Sequence, residues 1–129
     1  MPEAEIESLR RIYTAVQQQD NDALRQAVTH DIEWSLPEAL PWGGTHHGHL
    51  GIISVAESYQ EHIDGLWADP DEFLECGDLI LVLGRVSGRG RQTGKSFEVP
   101  FAHVWGLSDG MPSSLRVYFD TAPITAALH

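Results

Sequence analysis

The chain has 129 residues, 42% hydrophobic and 21% charged, the size and balance of one folded domain, which excludes disorder and a fibrous repeat. Eight Lys and Arg against 19 Asp and Glu give a formal charge of −11, which repels phosphate backbones and anionic headgroups, so neither nucleic acid nor a membrane is an expected partner. A single cysteine, Cys76, makes no internal disulfide, no apolar stretch reaches the ~18 residues of a membrane span, and Met1-Pro2-Glu3 lacks the basic and apolar regions of a signal peptide; a cytoplasmic protein is expected.

Ile6, Leu9, Ile12, Tyr13 and Val16 recur at helical spacing, with Glu3, Glu5 and Glu7 where the amino-terminal dipole favours acids. Asp20 or Asn21 can cap a second, short helix carrying Leu24, Ala27 and Val28, and the two form a helical hairpin. The period then changes to two: Ile32, Trp34 and Leu36 alternate with Glu33 and Ser35 until Pro37 stops the strand. Pro37 to Gly48, rich in proline and glycine, reads as a loop, and Ile52, Ala56, Tyr59, Ile63 and Leu66 mark a third helix. An antiparallel meander follows: Glu72 to Cys76, a Gly77-Asp78 turn, Leu79 to Gly88, a Gly- and Arg-rich loop, and Ser96 to Leu107. Ser108-Asp109-Gly110 then turns the chain into Ser113 to Phe119, and a tail covers Pro123 to Leu128. There is no internal repeat and no linker, so residues 1–129 are expected to form one α+β domain, with three helices covering the concave face of a curved antiparallel sheet.

The strand Ser96 to Leu107 is apolar on both sides, with Phe101, His103 and Trp105 on one and Pro100, Ala102 and Val104 on the other. Three helices cover one face only, so a homodimer across the second face is expected, with Phe101, Trp105 and Tyr118 on that outer side.

The helix order, the Trp34 strand, the Pro41-Trp42-Gly43-Gly44 loop and the closing Arg116-Val117-Tyr118-Phe119-Asp120 resemble the nuclear transport factor 2-like superfamily over nearly the whole chain. Within it the chain is most similar to SnoaL-like proteins, relatives of polyketide cyclases, ketosteroid isomerase and limonene epoxide hydrolase. The resemblance implies a cone-shaped α+β barrel open at one end, an apolar pocket between helices and sheet, and a dimer across the outer sheet face. Carried over residue by residue, it places Leu36 where ketosteroid isomerase holds its base and Ala102 where that enzyme holds its hydrogen-bonding acid; Tyr13 lies within one residue of its helix-one tyrosine. Arg85 matches the arginine of limonene epoxide hydrolase, whereas Ser87 and Val117 stand at its two aspartates, and the cyclase aspartate also falls on Val117. All three mechanisms lose an acid or base, so whether the chain is an enzyme stays open. Neither isomerase nor epoxide hydrolase turnover is expected.

The same matches imply that Arg85, Ala102 and Val117 face the cavity, and strand alternation adds Ser87, Glu98, Pro100, Leu115 and Phe119. Arg85 and Glu98 are then the candidates for catalysis, either serving a ligand or simply pairing with each other. Trp34, Trp42 and Tyr59 are candidate ligand-binding aromatics with Tyr13 and Leu36, although core packing accounts for aromatics equally well. The resemblance brings His47 to the pocket mouth, against a solvated loop histidine, and His103 is expected at the outer interface. His46, His47 and His49 share a loop without a carboxylate at metal-site spacing, so no metal is expected. Gly88-Arg89-Gly90 joins two strands and is no dinucleotide fingerprint, and Arg89, Arg91 and Lys95 read as a solvated turn; no cofactor is expected. Two functions remain open: an isomerase, cyclase or hydrolase acting on a small hydrophobic or aromatic metabolite, and a non-catalytic module that binds one or dimerises.

Overall fold

The structure, a computed structural model, describes residues 2–129; Met1, the first residue of the expected domain and leader-free start, lies outside them. Helix α1 (Pro2–Gln17) is acidic in its first turn and buries Leu9, Ile12, Tyr13 and Ala15. Helix α2 (Asn21–Gln26) begins at Asp20, whose carboxylate accepts from the Ala23 amide at 3.0 Å, a side-chain cap of the expected kind. Strands β1 (Glu33–Leu36) and β2 (Gly44–His47) form an antiparallel pair ahead of helix α3 (Gly48–His62). The long strands β3 (Ile63–Cys76), β4 (Leu79–Gly90), β5 (Ser96–Ser108) and β6 (Met111–Phe119) follow, and helix α4 (Ala122–Leu128) closes the chain.

Three differences from the sequence expectation have local causes. Strand β2 lies inside the expected loop: Gly-Thr-His-His offers no apolar alternation and is held by pairing with β1, Leu36 opposite Gly44. Helix α3 ends at His62, so Ile63 and Leu66 belong to β3. Gly65, at φ +63, sits in a bulge between Asp64 and Trp67 that lets the chain leave the helix directly into the sheet. The tail is a fourth helix, started by Pro123 in its first turn and packed on β4 and β5.

The sheet order is β2-β1-β6-β5-β4-β3, with β1 parallel to β6 and every other pair antiparallel. Strands β2 and β3 are separate edges, so the sheet is curved but not a closed barrel. Its concave side is filled by α1 and α3 instead, and Gln17 Nε2 donates to the Ala68 carbonyl at 2.7 Å to tie α1 to β3. No helix among the described residues is long and apolar enough to cross a membrane.

The register corrects the assignment of faces on β4 and β5. Residues directly opposite on paired strands share a face. Val117 lies opposite His103, and Tyr118 opposite Ala102. Val117 faces inward, so His103 faces inward too, with Phe101 and Trp105; all three are buried. Ala102 therefore lies on the convex side with Tyr118, and Leu83, Arg85 and Ser87 join it through their partners Ala102, Pro100 and Glu98. The physical reason is area: Phe101, His103 and Trp105 carry far more surface than Pro100, Ala102 and Val104, and the helices lie where that surface is hidden. Trp105 is completely buried and is not an interface residue.

Candidate ligand site

A cavity of about 100 Å³ lies between α1, α3, α4 and the concave sheet. Helical spacing turns Ile12, Tyr13 and Val16 of α1 into it, α3 contributes Val55 and Tyr59, and strand alternation supplies Trp34 and Leu36, His103 and Trp105, and Leu115, Val117 and Phe119. Trp42 arrives from the β1–β2 connection and Ile124 from α4. The deep walls are buried, while Val16, Leu36, Leu66 and Phe119 are only half-buried and form an apolar rim.

One polar cluster sits in this wall. Trp105 Nε1–H donates to Tyr13 Oη at 2.9 Å, and Tyr13 Oη lies 2.6 Å from His103 Nδ1. Aromatic packing fixes the imidazole: Phe101 stacks on it with centroids 4.0 Å apart, Tyr13 lies near-parallel at 5.6 Å, and Trp105 meets it edge-on. Burial pushes His103 down from 6.5 to about 3, because an imidazolium would lose its hydration there. Burial also holds the Tyr13 hydroxyl well above its ordinary value, partly offset by the hydrogen bond from Trp105. Tyr59 is pushed up to about 12 by burial, tempered by the neighbouring Gln60 amide, which does not reach hydrogen-bond geometry with the hydroxyl. Tyr59 Oη and Trp34 Nε1 are both buried without a partner among the described residues.

The structure thus brings Tyr13, Trp34, Leu36, Trp42, Tyr59, Val117 and Phe119 together around one cavity. It does not bring Arg85, Ser87, Glu98 or Ala102 there. Arg85 and Glu98 do meet, with Nε and Oε1 3.6 Å apart, but on the convex face with both side chains more than half exposed; their placement in the cavity is corrected. Water solvates both charges, and such pairs contribute ~1 kcal/mol or less. His47 is exposed on β2 and takes no part in the cavity wall. His46 Nε2 lies within hydrogen-bond distance of the Trp42 and Gly43 carbonyls, and His49 Nε2 of the Val28 carbonyl. No group of three or more His, Cys, Asp or Glu among the described residues is arranged to hold a metal. His103 and Trp105 line the cavity and not the outer face expected from the sequence. The alternation Phe101-x-His103-x-Trp105, which gathers the bulk of β5 on one side, was the available signal for an inward face.

The architecture is that of the nuclear transport factor 2-like fold. A nuclear transport factor 2-like protein of unknown function from Burkholderia pseudomallei superposes with a TM-score of 0.89 at 30% identity, covering 97% of each chain. TerC, co-crystallised with polyporic acid, superposes with a TM-score of 0.89 at 26% identity over 97% of this chain and 98% of its own. A protein from Catenulispora acidiphila with a ketosteroid isomerase-like fold, in complex with trimethylamine, matches at 16% identity and a TM-score of 0.84, covering 94% of this chain and 91% of its own, and shares the fold alone. The model of the SnoaL-like domain matches residues 9–113, and the chain belongs to that family. No curated protein matches the chain in sequence.

Proposed function

We propose that this protein binds a small hydrophobic or aromatic metabolite in the cavity bounded by Tyr13, Trp34, Tyr59 and His103. The observation that carries this reading is the cavity wall itself: apolar side chains around one hydrogen-bonded polar cluster, the composition of small-molecule sites. The resemblance to TerC, which was crystallised with polyporic acid, supports a small-molecule ligand. At about 100 Å³ the void lies below the ~300 Å³ at which ordinary ligand pockets begin, so the ligand is compact or the rim opens around it. Binding without turnover is favoured over isomerase, cyclase or hydrolase chemistry. The polar side chains of the wall are Tyr, Trp and His, and burial keeps His103, Tyr13 and Tyr59 neutral around pH 7, so none of them changes charge readily. The acidic charge and lone cysteine support a cytoplasmic setting.

The test is a titration of single-ring aromatic compounds followed through the indole resonances of Trp34 and Trp105, with native mass spectrometry of whatever copurifies. Val117→Phe, which places a ring in the void, is expected to abolish the perturbations while changing stability by no more than ~1 kcal/mol, because filled space offsets strain. Binding that survives the filled cavity would refute this site.

The convex face supports pairing with a second copy of the chain. Tyr118 is 52% exposed there, beside Ala102, Val104, Leu81 and Leu83. Tyr118→Glu is expected to convert a dimer to a monomer in size exclusion with light scattering, and a wild-type monomer at micromolar concentration would remove the proposal.

A further inference from the structure

The polar atoms of the cavity wall have a direction as well as a position. Trp105 Nε1 can only donate, and Tyr13 Oη accepts its proton. If His103 Nδ1 also donated to Tyr13 Oη, the Tyr13 proton would have no acceptor among the described residues. The Nε2 lone pair would then lack a donor as well, leaving two groups unsatisfied; when the chain runs Trp105 to Tyr13 to His103, with Tyr13 O–H donating to Nδ1, only the Nε2–H is left without a partner among the described residues. That assignment makes His103 the Nε2–H tautomer, and Nε2 has no protein partner among the described residues. Burial keeps the imidazole neutral, so it carries one N–H at physiological pH. Trp34 Nε1–H and the Tyr59 hydroxyl, on residues of the same wall, are buried and equally unpartnered. Among the described residues, no carboxylate, amide or cationic side chain lines the cavity. A buried donor without an acceptor is costly, so the wall is short of acceptors.

From this we infer that the ligand is a compact, neutral hydrogen-bond acceptor, a carbonyl compound whose oxygen takes the His103 Nε2–H. Tyr13 is a positioning residue that sets the imidazole tautomer. The inference rests on the binding reading above and adds the chemical class. It disfavours amines: an ammonium group would bring protons to a wall of donors and would lose its hydration in a buried site.

Three ring compounds of equal heavy-atom count separate the cases: cyclohexanone, methylenecyclohexane and cyclohexylammonium, titrated into the wild-type protein by NMR. Cyclohexanone is expected to bind about tenfold more tightly than its methylene isostere, the worth of one otherwise unmade hydrogen bond, and cyclohexylammonium is expected not to bind. His103→Phe should erase the ketone preference while keeping the alkene. Long-range nitrogen–proton correlation on the wild-type imidazole should read the Nε2–H tautomer, and Tyr13→Phe should disturb it. Equal binding of ketone and alkene, tightest binding of the ammonium, a Nδ1–H tautomer, or a ketone preference that persists in His103→Phe would each overturn the acceptor assignment while leaving the pocket in place. Binding of none of the three would overturn the pocket as well. The wild-type titration and the tautomer measurement depend on no variant folding.

Discussion

Tyr13→Phe removes one oxygen and leaves the ring, so it isolates what the hydroxyl does at the centre of the cavity wall. Two buried groups lose their partner: Trp105 Nε1–H, on a side chain with no exposed surface, and His103 Nδ1. Each orphaned polar atom costs about 1–3 kcal/mol, and the desolvation of the hydroxyl is recovered, so the net loss is expected at about 2–4 kcal/mol. Folded domains are stable by only about 5–15 kcal/mol, and for a chain of this length a loss of that size lowers Tm by roughly 10 °C. Urea unfolding followed by tryptophan fluorescence measures it directly. The double variant Tyr13→Phe/His103→Phe distinguishes a hydrogen bond from simple packing. Removing both partners leaves no orphaned imidazole, so the double variant should be less destabilised than the sum of the singles by about 1 kcal/mol or more. A single-variant loss below about 0.5 kcal/mol, or strict additivity, would refute the buried network.

Two further outcomes follow from the same wall and from the surface. His103 in the folded protein resists protonation down to about pH 3, whereas in the unfolded chain it protonates near 6.5. Acid therefore favours the unfolded state, and stability falls between those values by up to ~1.4 kcal/mol per pH unit from this residue. Urea unfolding at pH 7 and pH 5 should show a shallower loss in His103→Phe than in wild type, and identical losses would mean that His103 is not the buried neutral imidazole described. Arg85→Met should change stability by less than ~1 kcal/mol and leave binding of cavity ligands unaltered by calorimetry, since its pair with Glu98 is exposed on the convex face. Loss of ligand binding in this variant would contradict the placement.

Much of the fold was legible because its signals are local. The spacing of Leu9, Ile12, Tyr13 and Val16 marks α1, Asp20 caps α2, and Gly77-Asp78 and Asp109-Gly110 set two turns of the meander, with Gly77, Asp109 and Gly110 at positive φ as tight turns require. Family membership came instead from the resemblance carried by the Trp34 strand, the Pro41–Gly44 loop and the closing Arg116–Asp120 segment, and that resemblance, extended by strand alternation, implied the inward positions of Trp34, Val117 and Phe119. Strand β2 and the start of β3 were not legible, because Gly44–His47 has no pattern of its own and Gly65 marks a bulge only once β4 lies beside it.

The sequence by itself determined which residues of β5 travel together: Phe101, His103 and Trp105 on one side, Pro100, Ala102 and Val104 on the other. Only the tertiary structure decided which side is the cavity. A period of two groups side chains but does not say which group is covered, and β5 is apolar on both faces. The choice is made by the pairing of His103 with Val117 on β6 and by α1, which brings Tyr13 to His103 from 90 positions away in sequence. The same contact converts a histidine of unremarkable local context into a neutral donor, because tautomer and protonation depend on a hydroxyl and a desolvated wall that exist only after folding.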